Sequence, residues 1–290
     1  MRRTLLAAVV LALSSTLWGQ QQSVLPKKDG SIKFAVIGDS GTGGSAQERV
    51  AKRLTAEHAG FKFEFVLMLG DNLYGSEKPD DYVDKFERPY KVLLDAGVKF
   101  YAALGNHDDP AQRFYKGFNM GGERYYSFKA PHGSARFFAL DSNYASKEQF
   151  DWFEKELSAS DSEWKIAFFH HPMYSSGETH GSDETLRETL EPLFVKHGIN
   201  LVLTGHEHFY ERVKPQKGIT YIISGSAAKL RRGNISQSPL TAKGFDQGYT
   251  FMLMEIVGDE LYFQTLTDEG RTVDSGTIRR AAKPAQSPKL

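Results

Sequence analysis

The stretch Leu201-Val202-Leu203-Thr204-Gly205-His206-Glu207-His208 decides how the rest of the chain is read. A short leucine and β-branched run ends at a glycine, and two histidines one residue apart follow. Such a run, bounded by breakers, suits a buried strand, and imidazoles at its mouth are metal-ligand types rather than core filler. Four more apolar runs finish in such polar residue types, three of them after a glycine. Residues 33–38 lead to Asp39, 63–70 to Asp71, 100–105 to Asn106-His107-Asp108, and 164–169 to His170-His171. Taken singly, an aspartate after glycine is a turn former and a lone histidine is a satisfied surface or core residue. Five strand ends that all finish in ligand types make coincidence a poor explanation. In open α/β sheets ligands bind outside the carboxyl ends of strands, so the pattern predicts one metal site where the five ends converge.

The segments between these ends set the fold class. Strands at 33–39, 63–71 and 100–104 alternate with helical periods at 46–58 and 79–96, the second interrupted by Pro89. The intervals of 32 residues from Asp39 to Asp71 and 35 from Asp71 to Asn106 are those of βαβ units, which need about 30. The first half is therefore parallel α/β. Aromatic-rich strands at 124–129 and 135–141 are joined by the turn-like Pro131-His132-Gly133-Ser134 and pair as neighbours. An amphipathic helix at 147–157 puts Phe150, Phe153 and Leu157 on one face. Strand 164–169, helix 184–197 and strand 200–204 follow. The remainder is strand, at 219–224, 249–257, 261–267 and a fringe at 271–278, with 227–247 read as loop. The expected architecture is α/β, a four-layer αββα sandwich of two mixed sheets flanked by helices, in one domain over 30–280 without internal repeats.

Composition narrows the function. The 290 residues contain 36 Lys+Arg and 36 Asp+Glu, so no global field favours nucleic acid or an anionic membrane. The one basic cluster, Lys229-Leu230-Arg231-Arg232, reads as a solvated loop. At the N-terminus Arg2 and Arg3 precede nine apolar residues, 5–13, and then Ser14 and Ser15, the pattern of an export signal over residues 1–19. That segment is shorter than the ~20 apolar residues a bilayer span needs, so stable membrane insertion is not expected. The polar Gln20-Gln21-Gln22-Ser23 argues against a buried helix there. No cysteine occurs, which excludes a disulfide-stapled domain and a lipoprotein. These features predict an exported bacterial protein, periplasmic or extracellular, with a disordered tail over 281–290.

Carboxylates, an amide oxygen and imidazoles without thiolates suit Fe, Mn, Zn or Co. The ligands are too many for one ion, since a catalytic zinc takes three protein ligands and water. Two ions sharing a carboxylate fit better, and a pair ~4 Å apart clamps a phosphate for in-line attack. A P-loop reading of the glycine-rich residues 38–45 fails because no lysine follows the last glycine.

Gly38-Asp39-Ser40-Gly41, Gly70-Asp71-Asn72-Leu73-Tyr74, Gly105-Asn106-His107-Asp108, Phe169-His170-His171-Pro172 and Gly205-His206-Glu207-His208 together resemble, in order and spacing, the five blocks of the purple acid phosphatases. These belong to the calcineurin-like metallophosphoesterases, and the chain resembles their small single-domain type, as in tartrate-resistant acid phosphatase. The similarity runs over about residues 32–278. It implies hydrolysis of phosphate monoesters by a hydroxide held at a binuclear centre. Fe(III) would be bound by Asp39, Asp71, Tyr74 and His208, and a divalent ion (Fe, Zn or Mn) by Asp71, Asn106, His170 and His206, with Asp71 bridging. The Tyr74 phenolate is the discriminating ligand, because its charge transfer to iron gives the family its colour. The His-x-Pro pattern selects His170 over His171 as ligand. His107 and His180 resemble the histidines that face substrate, where a protonated imidazole binds phosphate and protonates the leaving oxygen. The resemblance also implies a small phosphorylated substrate, no nucleic acid, and a monomer.

Asp141 leads almost directly into the helix at Lys147, so the long regulatory loop of mammalian members is expected to be absent. Glu211 is expected to act behind the ligands rather than on substrate. A phosphodiesterase or nucleotidase on the same centre, or a non-catalytic metal- or phosphate-binding protein, are the alternatives.

Overall fold

The computed structural model describes residues 25–280. The segments read as export signal and tail lie outside the described residues. In chain order the elements are β1 (Ile32–Ile37), α1 (Ser45–Phe61), β2 (Phe65–Met68), α2 (Pro79–Tyr82), a π turn (Val83–Glu87), α3 (Arg88–Asp95) and β3 (Lys99–Ala102). Next are β4 (Tyr126–Lys129), β5 (Ala135–Ala139), α4 (Lys147–Ala159), β6 (Trp164–Phe168), α5 (Glu184–His197) and β7 (Leu201–Thr204). The chain closes with β8 (Tyr210–Val213), β9 (Thr220–Ser224), β10 (Thr241–Phe245), β11 (Thr250–Val257), β12 (Glu260–Thr267) and β13 (Thr272–Arg279).

Two mixed sheets result, six strands in the order β13-β12-β11-β1-β2-β3 and seven in the order β10-β8-β9-β7-β6-β5-β4. β1, β2 and β3 are mutually parallel, as are β5, β6, β7 and β9. β4 and β5 pair antiparallel as neighbours. Alternation along each strand divides the core into three layers. Phe34 and Val36 of β1 join Phe65, Phe137, Phe168, Leu203 and Met252 between the sheets. Ala35 and Ile37 turn the other way and pack with Val50, Leu54 and Leu93 under the helices α1 and α3. Ala167 and Val202 of the second sheet pack against Phe153, Leu190 and Phe194 of α4 and α5. Strands buried on both faces read as continuous apolar runs, which is why the sequence shows them as blocks rather than alternations. The four-layer sandwich is therefore the observed architecture.

The sequence reading missed two strands and smoothed one helix. β8 follows directly on His208, and β10 lies inside the stretch read as loop. The helical stretch around Pro89 is three pieces, with a π turn immediately before α3, whose first turn contains the proline. Pro lacks the N–H that a continuous α-helix would need there.

Phe137 sits at the centre of the inter-sheet layer, fully buried. Its ring meets Phe34 and Phe65 at 80° with centroids 5.2 Å away and stacks on Phe128 at 5.0 Å. Phe137→Ala is expected to cost about 3–5 kcal/mol, read as a lower urea midpoint at unchanged slope.

Candidate metal centre

The ends of β1, β2 and β3 in one sheet and of β6 and β7 in the other open onto one edge of the sandwich. Backbone bonds lock the turns there side by side. Asp39 N–H donates to Gly70 O at 3.1 Å, Gly205 N–H to His170 O at 3.0 Å and Ala227 N–H to Gly38 O at 3.1 Å. Glycine is required where these turns touch. A Cβ on Gly105 would lie 2.2 Å from Asp71 N, and one on Gly205 would lie 2.6 Å from Asp39 Oδ2. Asp39, Asp71, His206 and His208 all adopt left-handed backbone, with φ of 56°, 52°, 71° and 45°. Non-glycine residues pay about 1–3 kcal/mol for such conformations, which cluster at functional sites.

The side chains form two groups. In the first, Tyr74 Oη lies 3.2 Å from Asp39 Oδ1 and 3.2 Å from His208 Nε2, and His208 Nε2 lies 3.3 Å from Asp39 Oδ1. The potential ligand atoms of Asp39, Asp71 and His208 fall within 4.8 Å of one another. Asp71 Oδ2 is buried without a hydrogen-bond partner, while Oδ1 accepts from His107 N–H at 3.0 Å and stands 3.4 Å from His170 Nε2.

In the second group Asn106 Oδ1 is 3.0 Å from both His170 Nε2 and His206 Nδ1, and those nitrogens are 3.1 Å apart. His170 Nδ1 faces Leu69 O at 2.9 Å. A carbonyl only accepts, so Nδ1 carries the proton and Nε2 presents a lone pair. An amide oxygen and an imidazole lone pair thus point at one another, with the second imidazole nitrogen beside them. The arrangement fits a cation, as does the orphaned Asp71 Oδ2. His171 lies within ligand range of His170 and His206 as well. Its Nδ1 meets Ser142 Oγ at 2.8 Å, which leaves Nε2 open, so either Asn106 or His171 could complete the second group.

The electrostatics agree. Burial and the neighbouring Asp71 push the Asp39 carboxyl well above its ordinary value. Burial raises Asp71 too, but His170, the Tyr74 hydroxyl and the His107 N–H outweigh it and leave Asp71 low. Burial, Asp39 and Asp71 drive the Tyr74 phenol far above its usual value. Burial, then neighbouring imidazoles, bring His206 down to about 2. Burial and Arg231 bring His208 to about 3. Imidazoles that refuse protons keep their lone pairs for a metal in acid.

His107 and His180 are exposed and flank the two groups. The His107 ring lies 4.9 Å from that of Tyr74, and the His180 ring 4.1 Å from that of His206. The residues behind them carried little signal in the sequence. Asp108 accepts from Gly105 N–H, Leu73 N–H, the Asn72 amide and the Gln112 amide, which fixes the turn around Asn106. Buried Glu207 accepts from Gly181 N–H at 2.7 Å and Ser175 Oγ at 3.0 Å, tethering the segment that carries His180. Glu211 accepts from Ser176 N–H at 2.9 Å and Thr241 Oγ1 at 2.6 Å.

Residues 32–210 match the calcineurin-like phosphoesterase family. The chain belongs to that family. Its relatives include purple acid phosphatase 17 of Arabidopsis thaliana, 28% identical over 264 residues that span 78% of each chain. Tartrate-resistant acid phosphatase type 5 of Homo sapiens is 26% identical over 304 residues, covering 88% of this chain and 93% of that one. Among solved structures, purple acid phosphatase PPD1 from yellow lupin seeds superposes with a TM-score of 0.71 at 18% identity, covering 92% of this chain and 58% of that one. GAP50, the anchor in the inner membrane complex of Plasmodium, gives 0.75 at 19% identity over 87% and 90%. The two structures share the fold with this phosphoesterase. The acid phosphatase relatives imply a binuclear metal centre, for which the two ligand groups are the candidates.

Proposed function

We propose that the chain is an exported acid phosphatase that hydrolyses small phosphate monoesters at Fe(III) and a divalent ion (Fe, Zn or Mn), and that it works as a monomer. Fe(III) is assigned to Asp39, Asp71, Tyr74 and His208, and the divalent ion to Asp71, Asn106, His170 and His206. The observation that carries the reading is Tyr74 Oη, 3.2 Å from both Asp39 Oδ1 and His208 Nε2. Burial and two carboxylates oppose ionisation of that phenol. A hard, highly charged ion in contact with it makes the phenolate the favoured form. When bound, the two ions supply the Lewis acidity that activates water and offsets phosphate charge.

The chain's own residues do the rest. Asp71 lies between the ligand groups and sets their separation. The rings of His107 and His180 stand on either side, where they bind phosphate oxygens and protonate the leaving alkoxide. Glu207 holds the His180 segment through Gly181 N–H. Export rests on residues 1–19, with a basic start and a short apolar run; among the described residues no helix is long and apolar enough to cross a membrane.

Protein purified without chelators is expected to hold two metal ions, one of them iron, and to show a visible band. It should cleave p-nitrophenyl phosphate faster than bis-p-nitrophenyl phosphate at mildly acidic pH, with loss on chelation. Tyr74→Phe should abolish the band and cost about 1 kcal/mol through the lost hydrogen bond. Active, colourless, zinc-loaded protein would overturn the iron assignment, and preference for the diester would make the chain a phosphodiesterase. Metal-replete protein without turnover on any ester would make it a binding protein.

A further inference from the structure

The basic cluster that reads as solvated loop in the sequence is docked on the metal centre. After β9 the chain is pinned to the ligand turns by three backbone bonds. Gly225 N–H donates to Phe209 O, Ala227 N–H to Gly38 O and Arg231 N–H to His208 O, each at 3.1 Å. Lys229 and Arg231 are half-buried as a result, whereas Arg232 is exposed. The Lys229 ammonium stands 4.5 Å from the centroid of the Tyr74 ring, and among the described residues it has no carboxylate partner. Arg231 Nη1 is buried without a hydrogen bond and lies 3.9 Å from Glu207 Oε2, too far to donate to it. Its charge is felt at His180 and His208. Two cations thus occupy one rim of the centre, Lys229 without a carboxylate partner and Arg231 loosely paired with buried Glu207 but with 29% of its side chain exposed.

The opposite rim differs. A cavity of about 400 Å³ beside Asn106 is lined by Asp108, Tyr144, His171 and Asp183 among others, and no lysine or arginine lines it. An anionic group next to the centre is therefore favoured on one side only. Charge-assisted donors in a partly dry setting are the ordinary means of recognising phosphate.

We propose that Lys229 and Arg231 form an anion subsite, so that the preferred substrates carry a second anionic group, above all a second phosphate, next to the phosphate that is cleaved. This rests on the phosphatase reading above. For a diphosphate, water oxygen forms the new P–O bond, the bridging P–O bond breaks, and the second phosphate departs with a proton from that water. The subsite holds this second phosphate in the bound diphosphate and so acts on the KM of that substrate.

The test compares kcat/KM for inorganic pyrophosphate and for 3-phosphoglycerate, each divided by that for p-nitrophenyl phosphate, in the metal-loaded full chain. Lys229→Met and Arg231→Met are each expected to lower the pyrophosphate ratio roughly tenfold or more, mainly through KM. Lys229→Arg should restore it, and Arg232→Met should leave it unchanged. A matching fall for 3-phosphoglycerate extends the subsite to carboxylates, and a fall confined to pyrophosphate restricts it to phosphate. An equal loss on all three substrates, or no change in either ratio, overturns the subsite. Wild-type protein inert on p-nitrophenyl phosphate overturns the phosphatase reading instead.

Discussion

Asp71→Asn is expected to lower turnover of p-nitrophenyl phosphate roughly a thousandfold or more, equivalent to about 4 kcal/mol of transition-state stabilisation. The substitution keeps the shape of the side chain, and its amide oxygen can still accept from His107 N–H. What changes is the buried Oδ2, which has no protein partner. A buried, unpartnered carboxylate oxygen attracts a cation, whereas an amide nitrogen turns two hydrogens toward it. Metal analysis should show at least one ion lost. Asp39 is raised by burial and then by the charge of Asp71, while Asp71 itself is held low by His170, the Tyr74 hydroxyl and the His107 N–H, so the substitution relieves one buried carboxylate and forfeits the contacts of another. Chelator should lower the melting temperature of the wild type more than that of Asp71→Asn. A variant with full metal content and wild-type turnover would show that Asp71 bridges nothing.

How much of this was legible in the sequence depends on what each residue must satisfy. The turns that carry the candidate ligands were, because each follows an apolar strand and all but the His170 turn open on a glycine, and burial on both faces leaves no alternation to confuse the reading. Helix α5 was found with its observed bounds, since Asp183 caps it by accepting from Leu186 N–H and Gly198 ends it in left-handed backbone. β8 was not. Its sequence Tyr210-Glu211-Arg212-Val213 carries two charges in four residues, yet Glu211 is fully buried because Ser176 and Thr241 arrive from distant segments to satisfy it. β10 pairs only with β8 at the sheet edge, with an irregular register and a glycine inside it, so no apolar pattern marks it. Lys229 and Arg231 escaped for a related reason. A charge run is solvated by default, and only the backbone bonds that fold the loop over His208 and Gly38 bring it to the centre.

The glycines that precede the ligands supply the second large effect. Gly105→Ala would place a Cβ 2.2 Å from Asp71 N and Oδ1 and 3.0 Å from Asp71 Cα. Backbone offers no rotamer by which to yield, so the turn after β3 must move away from the turn after β2. Such overpacking costs about 1–3 kcal/mol. The functional loss should be larger than the stability loss, because the displaced turn carries Asn106, whose Oδ1 lies 3.0 Å from both His170 Nε2 and His206 Nδ1. A displacement near 1 Å at such a centre can cost about a hundredfold in rate. Gly97 provides the control. Its φ of +81° also strains an alanine, but no atom lies within 4 Å of the Cβ, so Gly97→Ala should cost about 1 kcal/mol with metal content and turnover intact. Urea midpoints, metal analysis and kcat/KM on the two variants separate strain from misplacement. Equal activity in both, at similar midpoints, would mean that the approach of Gly105 to Asp71 does not position the centre.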